Sequence, residues 1–492
     1  MSSKRKPEKK YGKWFLQSEG VSISGCLIID EDAFSQTLIL YSKSDFNGVK
    51  IDINDNSFRN IKTIYGEVNS RTSITLQNCS YRGLSLIGDE LWEIKFILEL
   101  SFLGGHLTEP DETTYYEVRC SYPYLSSWYD TNRNYFGSLY ECSDLDRMRP
   151  SLGTGDLIDE IQIDDDLTIQ VERLYSQNSM VMDKEVSIQV RHYVNFRTSS
   201  PRTFREFRKM AYRFSQLIQL ATGKLIFLDF VSVVGNPKDI KNVHYQFQTR
   251  EEFPYLEITF MNKDQKRNYQ ESDYIHQNMM LFYGGENRRD QLNQTIAAWY
   301  RSYNKYSSIY NRFLDTFEWF QNTDATLSQV MFDNRFLNLI QALESFHVIS
   351  FPEFEKDKRI DDQKRVDLLL SSITDSEDKQ WLAKKISLHT PLRKRLDDLM
   401  EKRLLSITSE IFKDRKQRKG FIEKVKTARD DLSHGNELDI EPIKIGEYYE
   451  KALIMLVSCV LISLGFTEEQ TRTSLFRTFK YQNTIGYLKS KF

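Results

Sequence analysis

The hydrophobic pattern of this chain changes near Asn287, and the change divides the sequence into two parts with different predicted folds. Before it, short β-type runs alternate with turns, and we predict strands at residues 21–29, 37–43, 61–68, 73–80, 224–234, 255–261 and 279–285. After it, apolar residues recur at helical spacing, and we predict helices at residues 288–320, 326–349, 361–373, 376–387, 391–413, 419–434 and 445–464. The sequence therefore predicts an α+β protein with a β-rich N-terminal domain followed by an all-α helical bundle.

Two stretches of the β-rich part carry further signals. Residues 93–105 predict either one long strand or a pair of strands. Apolar residues alternate from Val186 to Phe196, which predicts a strand with one buried face. His192 falls on that face, and we interpret it as a packed histidine, with metal ligation as the alternative.

One helix interrupts the strands of the N-terminal part. It begins at Thr203, because Thr203 and Glu206 have the spacing of a capping box, and Gly223 is well placed to end it. Its predicted buried stripe consists of Phe204, Phe207, Ala211, Phe214, Leu217 and Ala221. We therefore predict four segments: a disordered basic tail (1–10), a β-rich domain with one central helix (11–286), a helical connector (287–325) and the helical domain (326–492).

Composition limits the possible functional classes. The formal net charge is −3 over 492 residues, so any RNA contact has to come from local basic patches. The five cysteines contain no CxxC pair and the seven histidines show no metal-ligand spacing, so we expect no metal and no cofactor. Reduced, packed cysteines are typical of a cytoplasmic protein, which is the location we expect.

The most hydrophobic run, residues 452–466, predicts a buried core helix. It has about 15 residues, fewer than the roughly 20 that a membrane span needs. The basic start of the chain lacks the apolar core of a signal peptide. We therefore expect no association with a membrane.

The most informative segment is residues 421–439, FIEKVKTARDDLSHGNELD. Gly435 is a natural helix stop, and the helix before it has a predicted buried stripe of Phe421, Val425, Ala428 and Leu432. Arg429 and His434 are five residues apart, about 140° around an ideal helix, so they share a face only if the helix loosens before Gly435. Asp430 lies four residues before His434, where it could fix the imidazole tautomer and raise its pKa.

Arginine and histidine together suit cleavage of RNA without a metal. The nucleophile is the ribose 2′-hydroxyl, so a histidine that moves a proton and a guanidinium that stabilises phosphoryl charge are sufficient. The expected products are a 2′,3′-cyclic phosphate, or the derived 3′-phosphate, and a 5′-hydroxyl. The alternative is that Arg429 and His434 only complement the dipole of the helix end, and their spacing is common by chance.

A basic run leads into this helix. It comprises Lys413, Arg415, Lys416, Arg418 and Lys419, and Lys424 extends it. We interpret these side chains as a binding surface for RNA phosphates, with a solvated helix connection as the alternative.

Several segments together resemble one protein family. Arg429 to His434 resembles the Arg-polar-x-x-x-His motif of HEPN nucleases, with Asp430 in the polar position. Residues 332–349 and 391–400 are similar to the first and middle helices of the Apea-like HEPN subgroup, and Glu344 occupies the subgroup's acidic position. In the N-terminal half, residues 11–29 and the strand SITLQNC resemble the N-terminal domain of ApeA anti-phage proteins.

The resemblance implies an abortive-infection nuclease that cleaves cellular RNA, with tRNA as the first candidate. It implies a sensor-like N-terminal domain that responds to an unknown phage-derived trigger, and a homodimer or higher oligomer that completes the site from two chains. Glu344 would orient Arg429, although an ordinary exposed glutamate is the alternative, and His347 would be packed rather than catalytic. The rival function is a HEPN module that binds RNA or a partner without catalysis.

Overall fold

The structure is a computed structural model. It describes residues 7–16, 22–30, 35–43, 60–69, 72–87, 91–129, 156–179, 186–224, 226, 228, 230–236, 238–243, 255–260, 275–285, 288–316, 325–385, 390–436 and 440–491. The chain forms two compact units. The first comprises Met1–Ile218 and Leu225–Ile275, and the second comprises Gln219–Lys224 and His276–Phe492.

The first unit is built on a 13-stranded antiparallel sheet. The strands in chain order are β1 (Glu8–Phe15), β2 (Ile23–Asp30), β3 (Ser35–Lys43), β4 (Asn60–Val68), β5 (Thr72–Ile87), β6 (Leu91–Ile97), β7 (Leu100–Leu103), β8 (His106–Leu107), β9 (Thr114–Ser121), β10 (Asp156–Gln162), β11 (Leu167–Ser179), β12 (Val186–Thr203), β13 (Phe230–Gly235), β14 (Ile240–Lys241) and β15 (Tyr255–Phe260). The short strands β8 and β14 pair separately. Two helices belong to this part of the chain, α1 (Leu125–Tyr129) and α2 (Phe204–Thr222).

Six strands of the large sheet close on themselves, in the order β5-β4-β1-β2-β3-β6. The ring closes because the first half of β5 pairs with β4 and its second half pairs with β6. Its interior is filled by a cluster of buried apolar side chains that includes Trp14, Leu27, Leu40 and Phe96. A Cβ on Gly66 would come within 2.4 Å of the indole of Trp14. Position 66, which packs against this side chain, therefore requires glycine.

The predicted strands at 21–29, 37–43, 61–68, 73–80 and 255–261 correspond to β2, β3, β4, β5 and β15. Residues 93–105 form two strands with different partners, because β6 pairs with β3 and β5 whereas β7 pairs with β5 and β15. The predicted strand at 224–234 begins only at Phe230, and residues 225, 227 and 229 lie outside the described part. The strand predicted from Val186 is β12; its side chains before residue 191 lie outside the description, and Val194 and Phe196 are buried.

The helix predicted from Thr203 is α2, and its predicted stripe is buried throughout. The backbone N–H and the hydroxyl of Thr203 both donate to the carboxylate of Glu206, at 3.0 and 2.9 Å, which is one half of a capping box. Gly223 ends the helix at φ +65°, in the left-handed region. His192 is buried, with Nδ1 2.9 Å from the Ser126 hydroxyl, as expected for a packed histidine.

Two predictions for this half of the chain are wrong. Residues 8–10 are not part of a disordered tail, because their backbone completes the ladder of β1 with β2; residues 1–6 lie outside the described part. Residues 279–285 form no strand, and the first of them ends a 3-10 turn at Gln277–Met279. Their buried backbone is satisfied instead by helix residues: Arg477 donates to the Leu281 carbonyl and Thr478 to the Met280 carbonyl. A short apolar run does not distinguish these two outcomes.

The second unit is helical. Its helices are α3 (Arg289–Leu314), α4 (Ala325–Ser350), α5 (Pro352–Ser372), α6 (Ser376–Lys385), α7 (Leu392–Lys402), α8 (Leu405–Ile411), α9 (Arg415–His434), α10 (Pro442–Ser463), α11 (Glu468–Arg477) and α12 (Phe479–Lys489). The helical pattern predicted after Asn287 is confirmed, and with the sheet before it the α+β class is confirmed. Residues 317–324, within the predicted connector, lie outside the described part.

The helix predicted at 391–413 is broken into α7 and α8. Leu404 is fully buried at the break, and its N–H reaches back to the carbonyl of Leu399, which closes α7. The helices α11 and α12 are missing from the prediction, although Thr467 and Gln470 form a complete capping box at the start of α11. The run 452–466 lies largely in the buried helix α10, and over the described residues no helix is both long and apolar enough to cross a membrane.

Candidate active site

The helix α9 positions the Arg429-to-His434 motif. Its N-terminus is capped by Asp414, whose carboxylate accepts from the Gln417 N–H at 2.7 Å, and it ends at Gly435 with φ +71°. Phe421, Ile422, Val425 and Ala428 anchor it in the core of the unit. Leu432, the last residue of the predicted buried stripe, is only half-buried. The last turn of the helix therefore lies outside the core.

Arg429 is held by two carboxylates. Its Nη1 donates to Oδ1 of Asp430 at 3.0 Å, and its Nη2 lies 3.8 Å from Oε2 of Glu344 on α4. The Arg429 side chain is 35% exposed and that of Glu344 only 16%. Glu344 is therefore not an ordinary exposed glutamate, and at 3.8 Å its carboxylate lies at ion-pair distance from the Arg429 guanidinium, too far for a hydrogen bond.

Glu344 also contacts a second arginine, which the sequence analysis missed. Oε1 of Glu344 lies 3.8 Å from Nη1 of Arg395, a side chain on α7 that is 13% exposed. Three helices thus meet at one carboxylate. The signal was present in the sequence, because Arg395 lies three residues after Leu392 and four before Leu399, on the apolar face of the helix. A charged side chain on such a face requires a partner.

His434 lies on the last turn of α9 and is exposed. In the part of the chain that the structure describes, no side chain hydrogen-bonds to its imidazole. The predicted contact from Asp430 is absent, because the carboxylate of Asp430 is engaged by the adjacent guanidinium of Arg429. The imidazole is therefore open to a ligand, and its orientation is not fixed by Asp430.

His347 belongs to a separate buried cluster. It is fully buried, with Nε2 3.4 Å from Oδ2 of Asp398 and its ring 4.8 Å from that of Phe351. Lys394 and Lys402 donate to Asp398 at 2.9 and 2.8 Å. Burial alone would raise the pKa of Asp398, but the hydrogen bonds from Lys402 and Lys394 outweigh it and lower the pKa. His347 is thus a packed residue that faces Oδ2 of a carboxylate whose other oxygen, Oδ1, is the one that both lysines contact.

The predicted RNA-binding side chains lie on both sides of the start of α9. Lys413 precedes the helix, Arg415 to Lys419 form its first turns, and Lys424 follows; all are exposed or half-buried. Cations at a helix N-terminus oppose the helix dipole, so helix stability does not explain them. Arg415 and Arg429 are 14 residues apart, about 21 Å along the helix, and Lys424, five residues before Arg429, lies about 140° from it around the axis.

The motif lies on an exposed helix end rather than in a cavity. An open pocket of the unit is lined by Phe332, Arg335, Tyr449 and Tyr487 among others. Phe332 is twelve residues from Glu344 on α4, about 18 Å along the axis. Among the described side chains, no group of three or more His, Cys, Asp or Glu could hold a metal ion. An exposed site of this kind suits a macromolecular substrate better than a small one.

Comparison with family models agrees with the fold. Residues 9–299 match the model described as ApeA N-terminal domain 1, and residues 337–470 match the model described as Apea-like HEPN. No curated protein and no solved structure matches the chain.

The two matches together define the class of this protein. It is an anti-phage protein in which a large β-rich region precedes a HEPN domain. The first model covers more than half of the chain, and the chain belongs to the ApeA family. The resemblance noted from the sequence is thereby confirmed. Glu344, Arg395, Arg429 and His434 all lie within the residues that match the HEPN model.

Proposed function

We propose that this protein is an endoribonuclease of anti-phage defence that cleaves cellular RNA without a metal. The observation that carries the proposal is the end of α9, where an open imidazole at His434 and a carboxylate-held guanidinium at Arg429 project from a rigid helix. Sites on rigid elements hold catalytic groups more accurately than sites on loops.

In the proposed mechanism, His434 takes the proton of a ribose 2′-hydroxyl as the 2′-oxygen attacks the adjacent phosphorus. The bond from phosphorus to the 5′-oxygen breaks, and the leaving oxygen receives a proton from a second imidazole. Arg429 stabilises the negative charge on the phosphoryl oxygens. Removing one such stabilising donor typically lowers the rate about 10²- to 10³-fold.

Asp430 and Glu344 act on Arg429 as positioning residues. A phosphate that binds the guanidinium must displace Asp430, which is 44% exposed and free to swing into solvent. Glu344 is mostly buried and stays behind the guanidinium, so its charge fixes the direction in which Arg429 points.

We propose that two chains pair to complete the site. Arg429 and His434 are separated by about 140° around the helix, so each chain alone presents an incomplete set. The pairing also supplies the second imidazole, from the partner's His434. Large apolar side chains exposed on α5 and α6, Leu368 (71%) and Trp381 (61%), offer a surface for self-association.

We further propose that tRNA is the substrate and that the N-terminal domain restrains the nuclease until a phage-derived trigger arrives in the cytoplasm. We propose three domains: the β-rich domain at residues 11–286, the helical connector at 287–325 and the helical domain at 326–492. The β-rich domain is extended to Glu8, because β1 begins there. Lys413, Arg415, Lys416, Arg418, Lys419 and Lys424 would bind RNA phosphates along α9.

The test is cleavage of total RNA by purified protein. His434→Ala and Arg429→Ala should each abolish cleavage and toxicity to cells. The fold should stay intact, since truncation of these partly or fully exposed side chains leaves no cavity. Thr427→Ala is the matched control: Thr427 is exposed on the same helix, and among the described residues its hydroxyl bonds only to the Glu423 carbonyl. Binding of RNA by both parent and His434→Ala, with cleavage by neither, would instead support the rival binding module.

A further inference from the structure

Two arginines that are distant in sequence lie over one tyrosine in the helical unit. The guanidinium carbons of Arg288 and Arg477 are 5.0 and 4.7 Å from the centroid of the Tyr283 ring. Arg288 directly precedes α3, and Arg477 is the last residue of α11. The fold of this unit therefore brings two positive charges to a single aromatic ring.

Neither guanidinium has a carboxylate partner among the described residues. Asp290, the acidic residue in the first turn of α3, is exposed, and no ion pair joins it to either arginine. Nη2 of Arg477 donates to the Leu281 carbonyl at 2.8 Å. Nη1 of Arg288 and Nε of Arg477 are buried, and neither has a hydrogen-bond partner among the residues that the structure describes.

This arrangement is unfavourable without a ligand. Burial lowers the pKa of Arg477, and the charge of nearby Arg288 lowers it further. The carbonyl end of α11 and the Tyr283 ring attract the cations and offset part of this cost. They do not supply acceptors for the two buried N–H groups, which native proteins rarely leave unsatisfied.

We propose that Arg288, Arg477 and Tyr283 form a site for a phosphate group, carried either by a free nucleotide or by an RNA backbone. A phosphate matches the planar donor fork of arginine and supplies several acceptor oxygens. Its charge also removes the repulsion between the two guanidinium groups. The site uses none of the residues of the candidate active site.

The first test is thermal unfolding with inorganic phosphate as the probe. It is carried out on His434→Ala chains, at constant ionic strength. At about ten times its Kd, phosphate should raise the Tm by about 3 °C. Arg288→Gln and Arg477→Gln should each lose this increase. Lys305→Gln should keep it, because Lys305 lies over the Tyr306 ring on the same helix but belongs to no such pair.

Stability without phosphate separates a ligand site from a structural contact. Arg288→Gln removes one of two repelling charges, so the unliganded Tm should stay unchanged or rise. Arg288 is the decisive variant, because Arg477 also bonds to the chain at Leu281 and its replacement could unfold the segment. A lower Tm for Arg288→Gln together with an undiminished phosphate effect would overturn the proposal.

Binding of a labelled RNA oligonucleotide distinguishes the two sources of the phosphate. If the site holds RNA backbone, Arg288→Gln should weaken RNA binding at least fivefold while Lys305→Gln leaves it unchanged. If it holds a free nucleotide, RNA binding is unchanged and only the phosphate-dependent rise in Tm is lost. A His434→Ala chain whose Tm does not respond to phosphate has no such site.

Discussion

Replacement of Glu344 by glutamine tests how Arg429 is held. Glutamine has the same shape, so the change removes a charge and leaves no cavity. Charges about 4 Å apart interact by about 4 kcal/mol at an effective dielectric constant of 20, and exposed pairs by about 1 kcal/mol or less. Arg429 is 35% exposed, so its interaction with Glu344 contributes an energy near the lower of these two values. Arg395 is only 13% exposed, and the substitution removes one of its partners in a mostly buried setting.

We expect Glu344→Gln to lower the stability by about 2 kcal/mol, below the roughly 3–5 kcal/mol typical of fully buried pairs. For a unit of this size the Tm should fall by about 4–8 °C. Cleavage should fall about 10- to 100-fold, because the guanidinium is no longer held in place. The assays are thermal unfolding and the initial rate of RNA cleavage.

Glu423→Gln is the matched control. Glu423 on α9 pairs with Arg393 on α7 at 3.0 Å, but the two side chains are 48% and 61% exposed. This variant should cost less than about 1 kcal/mol and leave cleavage intact. If Glu344→Gln behaves like Glu423→Gln in both assays, the reasoning about Glu344 is refuted.

A double variant separates positioning from stability. Glu344→Gln combined with Arg395→Met removes the charge left without its carboxylate, so it should recover about half of the lost stability or more. Cleavage should remain low, because nothing restores the hold on Arg429. Recovery of both properties together would show that Glu344 is structural only.

Chelation of metals, mixing of parent and inactive chains, and a change of pH give three further tests. EDTA should leave RNA cleavage unchanged, since no side-chain cluster among the described residues could hold a metal; activity lost on chelation and restored by one divalent ion would contradict this. An excess of His434→Ala chains should inhibit the parent by forming mixed pairs, whereas activity that follows the parent concentration alone would exclude a composite site. The pKa of Asp398 is lowered in the folded state. The ionised carboxylate therefore stabilises the fold above its unfolded pKa of about 4, and this stabilisation is lost as pH falls. The difference in Tm between the parent and Asp398→Asn should be large at pH 7 and shrink below about pH 4.

The hydrophobic pattern predicted those parts of the fold that depend on local periodicity. The stripe of α2, the end of α9 at Gly435 and the helical character after Asn287 are all confirmed, since each depends on residues close in sequence. The closure of six strands into a ring was not predictable in this way, because it depends on β5 pairing with β4 and β6 along different halves of its length. The irregular segment at 279–285 is likewise decided by distant partners, Arg477 and Thr478.

At the candidate site, the sequence named Arg429, His434 and Glu344, and the structure brings Glu344 beside Arg429. The sequence did not reveal that Asp430 contacts Arg429 rather than His434. A short side chain can reach both a neighbouring residue and a residue four positions away, so the spacing does not decide between the two contacts. Arg395 belongs to the basic triplet at residues 393–395, whose sequence fits phosphate binding and a solvated helix start equally well and does not indicate a buried partner. Its burial depends on how α7 packs against α4, which no local pattern contains.

The chemical identity of the RNA ends is the most direct test of the central claim. Cleavage of a defined tRNA by the purified parent, without added metal, should leave a 2′,3′-cyclic phosphate or 3′-phosphate on one fragment and a 5′-hydroxyl on the other. His434→Ala should yield neither fragment, and Thr427→Ala should yield both. Products with a 5′-phosphate, or cleavage undiminished in His434→Ala, would contradict the assignment of His434 as the base in a 2′-hydroxyl attack.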